Sequence, residues 1–406
     1  MNRRRVLVLA DESADWLVAG LRQLERIALS IDEFAIENKE TAPVLVGIFW
    51  HPVLDQSQRW IPDNPRLTKV AFSTDLDGQP YDLILSTRLF LYRRAVGRLL
   101  SEGGASARSI SLGDSLSDSG DVRKQVPPSD KESWEIYRRL TESLPRSVDG
   151  AWEFITDGNA IDRIETKFLR GSRKSQDGFV SRYLNRPISR AITRLLLRFT
   201  TTPNAWTWLI FPIPIVAALV LSHGTYWSFF LGLILFQVFS VLDGCDGEIA
   251  RAKFMESERG RQLDDLFDVA SNVLLVVGLG FGLSRQAHFH GGSGWFYLLE
   301  GITAGGLIVV NETYLATRKA VPASAAKLDS LGPALYPRHR ELVERSGLLM
   351  FGEKFAFLLM QITKRDVAVL FFVFLAGVGL PALILHLLLL VTAVSLALAW
   401  RARSAL

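Results

Sequence analysis

The apolar residues divide the chain into two halves of different character. In residues 1–200, short apolar runs alternate with polar stretches, as they do in soluble proteins. Residues 204–401 contain apolar runs close to the roughly 20 residues that a helix needs to cross the hydrocarbon of a bilayer. The pattern predicts a soluble domain followed by a polytopic α-helical membrane domain.

The soluble half alternates strand patterns with helix patterns. Buried strands are predicted at Arg5–Ala10, Val44–Trp50, Val70–Ser73 and Asp82–Ser86. Apolar residues recur at helical spacing from Trp16 to Ile31. This order indicates a parallel sheet with helices on its faces, so residues 1–160 are assigned to a soluble α/β domain. Within it, segment 103–133 predicts a mobile loop because it is rich in Gly, Ser and Pro, and residues 132–144 predict a short helix.

Residues 161–200 form a basic juxtamembrane segment. One side of its predicted helix is apolar, with Ile188, Ile192, Leu195 and Leu196. Another side repeats arginine every four residues, at Arg186, Arg190, Arg194 and Arg198. The pattern is typical of an amphipathic helix that lies on an anionic membrane surface. A solvated basic helix of the soluble domain is the alternative.

The membrane domain, residues 201–406, is predicted to have six transmembrane helices. Their approximate bounds are 204–222, 225–249, 261–284, 294–317, 366–380 and 381–400. Thr202 suits the N-cap of the first helix, and Pro203 suits its first turn. The apolar stretch Leu348–Ile362 is short and predicts an interfacial segment rather than a seventh span.

The distribution of charge sets the predicted orientation. Lys and Arg concentrate between residues 318 and 365, whereas the segments after the first and third spans carry almost none. The positive-inside rule then places both termini on the cytoplasmic side of the cell (inner) membrane. Basic residues near a bilayer favour anionic lipid as the partner, and no nucleic-acid partner is predicted. Because Cys245 is the one cysteine, no intramolecular disulfide can form.

Four aspartates lie where two of the predicted spans meet the cytoplasm. Asp243 and Asp246 end the second span, and Asp264 and Asp268 begin the third. Spacings of three and four residues place each pair on one helix face. Two helix ends are therefore predicted to present four carboxylates to a shared space. Neighbouring Cys245 lies off that face and predicts helix packing.

Carboxylates this close to a bilayer are costly unless cations neutralise them. Ligands that are all oxygen favour Mg²⁺, Mn²⁺ or Ca²⁺ over zinc, and two such ions are predicted. Gly247, Ala250 and Gly260 leave no side-chain bulk, so that a ligand can approach the backbone. Arg251 supplies a fixed cation suited to a phosphate. Metal ions, an arginine and a further carboxylate are the components that phosphoryl transfer requires.

The same segment carries a motif with eight fixed positions. It reads D-x-x-D-G-x-x-A-R at residues 243–251, then a spacer of eight residues, then G-x-x-x-D-x-x-x-D at residues 260–268. This is the signature of the CDP-alcohol phosphatidyltransferases, and the chain resembles that family; T-P-N-x-x-T at residues 202–207 also recurs there. The resemblance implies transfer of a substituted phosphate from a CDP-alcohol donor to an acceptor alcohol, with release of CMP. It further implies metal ligands Asp243, Asp246, Asp264 and Asp268, with Asp268 also acting as base. The implied CDP site comprises Asp243, Gly247, Ala250, Arg251 and Gly260.

The acceptor is less constrained. The sequence of residues 177–189 resembles the juxtamembrane segment of di-myo-inositol phosphate phosphate synthases, family members that carry a fused soluble domain. This implies an inositol-phosphate acceptor with CDP-inositol or CDP-diacylglycerol as donor. Arg365, Arg345 and Arg318 are the candidates for binding the acceptor's phosphate, although orientation alone also explains them. Ordinary phospholipid synthesis stays open, as does assembly as a homodimer.

The N-terminal domain resembles sugar-phosphate nucleotidyltransferases at residues 18–31. Those enzymes cradle a triphosphate in a Gly-rich loop after the first strand. Here A-D-E-S-A-D, residues 10–15, places carboxylates at that position, and D-L-I-L-S-T-R, residues 82–88, lacks the expected metal-binding aspartate. We therefore expect a nucleotidyltransferase-like domain without the activity; an unrelated α/β domain is the alternative.

A different class of function is a transporter or a catalytically silent membrane anchor. Transporters usually show paired, interrupted helices in two similar halves, and the sequence shows no such pattern. An anchor would not need the aspartates. Three other polar residues have structural interpretations: Asp265 is either solvated or a local partner of Arg261, and Glu300 and His386 are packing residues.

Overall fold

The computed structural model describes residues 3–73, 81–101, 131–142, 146–148, 150–171, 179–318 and 365–404. The chain divides into two compact units. Unit 1 comprises Met1–Ser172 together with the short segments Leu197–Phe199 and Ala252–Phe254. Unit 2 comprises Arg173–Leu196, Thr200–Arg251 and Met255–Leu406.

Unit 1 is built around a four-stranded parallel sheet. Its strands are β1 (Arg5–Ala10), β4 (Val44–Trp50), β5 (Val70–Ser73) and β6 (Leu83–Ser86), in the order β5-β4-β1-β6. In the central register, Val6 lies opposite both Val46 and Leu83. The predicted α/β fold of the N-terminal region, with a parallel sheet, is confirmed.

Both faces of this sheet are covered. Successive side chains of β1 point to opposite faces, so Val6 and Val8 enter one apolar cluster while Leu7 and Leu9 enter another. The helix α1 (Gln23–Glu37) contributes residues at helical spacing to the first cluster. Trp134, on the later helix Lys131–Glu142, belongs to the second. Burial on both faces explains why the strands are continuous apolar runs.

Smaller elements complete unit 1. The strands β2 (Leu17–Val18) and β3 (Leu21–Arg22) form a hairpin. The strands β7 (Leu89–Leu91), β8 (Ser147–Val148) and β9 (Trp152–Phe154) form an antiparallel sheet in the order β7-β9-β8. The remaining helices are α2 (Ala95–Ser101), α3 (Lys131–Glu142) and α4 (Gly158–Gly171). The predicted helix at 132–144 is thus observed as α3, and the predicted loop at 103–133 lies almost entirely outside the described residues.

A buried arginine lies against a third apolar cluster of unit 1, which contains Phe90 and Phe168. Arg26 is 0% exposed, and its guanidinium lies over the rings of Phe90 and Phe168. Its Nη2 donates hydrogen bonds to the carbonyl oxygens of Val18 at 2.8 Å and Ala252 at 3.0 Å. Carbonyl oxygens and aromatic faces offset part of the cost of burying this cation.

Unit 2 is helical in the part that the structure describes. Its helices are α5 (Arg186–Leu196), α6 (Pro203–Ile210), α7 (Pro212–Leu221), α8 (Tyr226–Ala252), α9 (Glu258–Phe289), α10 (Trp295–Arg318), α11 (Arg365–Gly377) and α12 (Pro381–Ser404). The Thr202 side chain accepts a hydrogen bond from Ala205 N, so the predicted N-cap is confirmed. Pro212 ends α6 and starts α7 within one continuous apolar stretch.

Three of the described helical stretches are long and apolar enough to cross a membrane. They are Pro203–Leu221, Tyr226–Ala252 and Glu258–Phe289. Asp366–Gly377 and Pro381–Ala397 are apolar but shorter. The apolar segment Leu348–Ile362 lies outside the described residues.

Small residues let the long helices of unit 2 approach closely. A Cβ at Gly280 of α9 would lie 2.8 Å from the carbonyl oxygen of Tyr297 and 3.1 Å from Cα of Gly301 in α10. A Cβ at Gly278 would lie 2.9 Å from the carbonyl oxygen of Ala218 in α7. Small residues at such crossings are common where membrane helices pack together. This packing fixes α9, on which two of the candidate site's aspartates lie.

Candidate metal centre

The structure brings three of the four predicted aspartates together. Asp243 and Asp246 lie near the end of α8, and Asp264 lies near the start of α9. Their carboxylate oxygens lie within 4.8 Å of one another. Three carboxylates at this distance repel one another unless they share a cation or a proton. Oxygens within 4.8 Å of one another lie within the span of the bonds of one Ca²⁺ ion, about 2.3–2.6 Å each, whereas Mg²⁺ with bonds of about 2.0–2.1 Å requires them to lie within about 4.2 Å. The group therefore fits a hard divalent cation.

Asp246 is held by a neighbour that sequence reasoning missed. Its carboxylate is only 8% exposed, and Thr207 Oγ1 of α6 donates a hydrogen bond to Oδ2 at 2.9 Å. The backbone N–H of Gly247 donates to Oδ1. Thr207 is the last residue of T-P-N-x-x-T, so the motif carried a signal for it. The helix α6 therefore orients one carboxylate of the group.

Asp268 lies one turn beyond Asp264 on α9. Its carboxylate is not among the three that meet within 4.8 Å in the described part of the chain. The spacing of four residues keeps Asp264 and Asp268 on one face of the helix.

The small residues around the carboxylates have defined neighbours. A Cβ at Gly247 would lie 3.1 Å from Nη1 of Arg251, so the guanidinium lies directly over this glycine. A Cβ at Gly260 would lie 3.1 Å from Oδ1 of Asn204. Ala250 is half-buried on α8. The guanidinium of Arg251 therefore lies next to Gly247, and the side-chain amide of Asn204 lies next to Gly260.

The first turn of α9 is capped and internally paired. Ser257 Oγ accepts a hydrogen bond from Gly260 N at 3.0 Å. Arg261 pairs with Asp265 at 2.9 Å and also with Glu258. Asp265 is thus the local partner of Arg261, as predicted, and the neighbouring Asp264 joins the aspartate group instead.

One arginine of the juxtamembrane helix does not lie where the sequence predicted it. The arginine row was expected to lie on the membrane surface as a whole, but Arg186 is only 8% exposed. It pairs with Glu248 of α8 at 3.0 Å. The sequence pattern could not show this because a row of arginines at four-residue spacing is compatible with either a lipid surface or a buried acid.

Two predicted packing residues pair with each other. His386 Nδ1 lies 2.6 Å from Glu300 Oε1, and Glu300 is 6% exposed. The pair joins α12 to α10 and does not include the aspartates, which agrees with the packing interpretation.

The candidate acceptor residues lie beyond what the structure describes. Arg345 is outside the described residues, and so are the side chains of Arg318 and Arg365. The backbone places Arg318 at the end of α10 and Arg365 at the start of α11. Asp366, the next residue, accepts a hydrogen bond from Ser181 N at 2.5 Å.

Comparison with known proteins identifies a domain in the C-terminal half of the chain. Residues 200–394 match the model of the CDP-alcohol phosphatidyltransferase family. These residues form a CDP-alcohol phosphatidyltransferase domain. The aspartate group, Gly247 and Arg251 all belong to this domain, so the resemblance inferred from the signature is confirmed.

The relatives with similar sequences match only part of this chain. A protein named "Bifunctional IPC transferase and DIPP synthase" from Thermococcus kodakarensis is 38% identical over 136 residues, covering 33% of this chain and 30% of that protein. Proteins of the same name from Archaeoglobus fulgidus and Rubrobacter xylanophilus are each 39% identical, over 123 and 169 residues. Those matches cover 30% and 40% of this chain, and 24% and 38% of the relatives. The chain thus matches well under half the length of these relatives.

Proposed function

We propose that the protein is an integral membrane CDP-alcohol phosphotransferase. It moves a substituted phosphate from a CDP-alcohol to an acceptor alcohol and releases CMP. The observation that carries this proposal is the group of three carboxylates within 4.8 Å of one another, inside a domain that matches the family. The alternative is a transporter, or a catalytically silent membrane anchor for the soluble domain. Neither would require a group of carboxylates that lies next to the contact between Gly247 and Arg251.

The residues divide the chemistry among them. In this proposal Asp243, Asp246 and Asp264 are ligands of divalent cations, and Asp268 is a further ligand of the second ion. The ions, when bound, neutralise the charge of the diphosphate and of the departing CMP. Arg251 binds a phosphate oxygen of the donor beside Gly247. Together with Asp243, the small residues Ala250 and Gly260 complete the CDP site.

Asp268 removes the proton from the acceptor hydroxyl. The acceptor oxygen then forms a bond to the phosphorus that carries the donor's alcohol. The bond from that phosphorus to the oxygen of CMP breaks, and CMP leaves with the electron pair. This role is supported by the position of Asp268 on the same helix face as Asp264, one turn further into the membrane domain.

The active site faces the cytoplasm in a protein with six spans. Support comes from the three long apolar helices and from the further helices α10, α11 and α12. The concentration of Lys and Arg between residues 318 and 365 supports the orientation. CDP-linked donors are then available on the same side as the aspartates.

The substrates that fit best are CDP-inositol or CDP-diacylglycerol as donor and inositol phosphate as acceptor. Support comes from the printed names of the relatives and from the juxtamembrane residues 177–189. Arg365, Arg345 and Arg318 bind the phosphate of the acceptor, since a phosphomonoester favours bidentate arginine.

The deciding experiment measures CMP release by purified full-length protein with Mg²⁺. Each donor is tested against inositol, inositol phosphate, glycerol phosphate and serine, and products are identified by mass spectrometry. We expect CMP and a phosphodiester product with inositol phosphate, and loss of turnover in Asp268→Asn. CMP release that is unchanged in Asp268→Asn would remove the assigned base. Turnover with unphosphorylated acceptors alone would remove the acceptor assignment but leave the reaction class.

A further inference from the structure

A carboxylate that the proposed chemistry does not use lies on the opposite side of α8. Glu248 follows Asp246 by two residues, which places it about 200° around the helix from that aspartate. Its side chain is only 1% exposed. A fully buried carboxylate is costly unless it is paired and hydrogen-bonded, so its partners determine what it does.

Three donors from α5 satisfy Glu248. Arg186 Nη1 and Ser189 Oγ donate to Oε1 at 3.0 and 2.9 Å. Thr193 Oγ1 donates to Oε2 at 2.8 Å. The donors follow one another at spacings of three and four residues, so a single face of α5 contacts both oxygens of the acid.

The contact between α5 and α8 extends along α8. Gln237 Nε2 donates to Asn185 Oδ1 at 2.9 Å, near the middle of α8. Further along, Cys245 Sγ donates to the carbonyl oxygen of Ser189 at 3.5 Å. A Cβ at Gly244 would lie 3.3 Å from Nη1 of Arg186, so this glycine leaves room for the guanidinium. Polar contacts therefore fix α8, from residue 237 to residue 248, against α5 and against Asn185, the residue that precedes α5.

Such contacts restrict rotation of α8 about its own axis. With side chains, a helix has a radius of about 5–6 Å, so a rotation of about 20° moves a carboxylate oxygen by about 2 Å. Asp243 and Asp246 must keep their oxygens within 4.8 Å of those of Asp264 on another helix. Misplacing a catalytic group by about 1 Å can reduce turnover about 100-fold.

We propose that Glu248 is a positioning residue. Together with Arg186, Ser189 and Thr193 it sets the rotation of α8, and the juxtamembrane helix α5 thereby sets the geometry of the aspartate group. This inference rests on the proposed function for its catalytic consequence. Its effect on metal binding can be measured separately. Buried ion pairs often add little net stability compared with apolar replacements, which agrees with a role in geometry.

The test compares full-length variants in the same lipid nanodisc. Glu248→Gln keeps the shape of the side chain and weakens its three hydrogen bonds. The double variant Glu248→Met with Arg186→Met replaces the ion pair by apolar side chains. Glu300→Gln is the matched control, because Glu300 is also buried in unit 2 but pairs with His386. The measurements are thermal unfolding, Mn²⁺ affinity by electron paramagnetic resonance, and kcat and KM for CMP release.

We expect the double variant to unfold near the wild-type temperature but to bind Mn²⁺ at least about tenfold more weakly and to lose about 100-fold in kcat. Glu300→Gln should match the wild type in Mn²⁺ affinity. Wild-type Mn²⁺ affinity in the double variant would overturn the proposal. If the wild type releases no CMP, the proposed function fails while the change in Mn²⁺ affinity still decides the positioning role.

Two milder variants keep the test decisive if the double variant does not fold. Ser189→Ala and Thr193→Val each remove one donor to Glu248 and leave the ion pair in place. Each should weaken Mn²⁺ binding by a few-fold, and the two together by more than either alone. Unchanged affinity in the combined variant would contradict the proposal.

Discussion

Thr207 Oγ1 donates a hydrogen bond of 2.9 Å to Asp246 Oδ2, joining α6 to the aspartate group. The same hydroxyl also lies 3.1 Å from the carbonyl oxygen of Pro203. It has a single proton, and an ionised carboxylate is the stronger acceptor. Thr207 therefore orients Asp246 toward Asp243 and Asp264.

Thr207→Val should weaken divalent-metal binding and turnover by about tenfold, since a hydrogen bond to a charged group is worth about 1.5–3 kcal/mol. Mn²⁺ affinity and CMP release are the measurements. Thr392→Val is the matched control: Thr392 is similarly buried, and among the described residues its hydroxyl donates to the backbone oxygen of Leu388 and not to a carboxylate. Equal losses in both variants would show a general packing effect rather than orientation of Asp246.

Two adjacent aspartates on α9 should differ sharply in their effect on the metal. Asp264→Asn removes a negative charge from the carboxylate group and should reduce turnover about 10²–10³-fold, with weaker Mn²⁺ binding. Asp265→Asn should leave both near the wild-type level, because Asp265 pairs with Arg261 at the surface. Chelation with EDTA should abolish CMP release in every variant. Metal affinity that is unchanged in Asp264→Asn would contradict the ligand assignment.

Gly247→Ala tests the contact between this glycine and Arg251. The added Cβ would lie 3.1 Å from Nη1, so the guanidinium must move by a few tenths of an ångström. We expect the KM for the CDP-alcohol to rise about tenfold, with a smaller change in kcat. Gly306→Ala is the control, since a Cβ there meets no atom of the described residues within 4 Å. A rise in KM that is the same in both variants would mean that the Gly247 contact has no special role.

The sequence predicted the elements that local periodicity determines. The continuous apolar run of β1 predicted a buried strand, and spacings of three and four residues predicted the carboxylate faces of α8 and α9. The sequence placed Asp243 and Asp246 at one helix end and Asp264 at another, both near the same predicted membrane surface. Their proximity in the structure could therefore be predicted.

The contacts between distant helices could not be predicted in the same way. Thr207 and Asp246 are separated by 39 residues, and Arg186 and Glu248 by 62. Periodicity shows which face of a helix is polar but not which helix covers that face. Arginine at intervals of four residues fits an anionic membrane, so the pattern of α5 gave no sign that Arg186 is buried against an acid.

The residues at the end of β1 bear on whether the N-terminal domain synthesises a CDP-alcohol. Asp11 follows this strand, and Arg88 Nε donates to its Oδ2 at 2.7 Å. Burial alone would raise the pKa of Asp11, but hydrogen bonds from Ser13 and Arg88 outweigh burial and hold the pKa below its usual value. An ionised carboxylate thus occupies the end of the strand, and the nearby arginine is engaged with it.

A triphosphate placed beside Asp11 would meet this negative charge without a free cation from Arg88. We therefore expect full-length protein with CTP, Mg²⁺ and inositol phosphate or a sugar phosphate to release no pyrophosphate above the level of a boiled control. The same preparation must release CMP from a supplied CDP-alcohol, which shows that it is folded. Asp11→Ala should leave that CMP release unchanged. Steady formation of pyrophosphate by the wild type, lost in Asp11→Ala, would instead make the protein bifunctional.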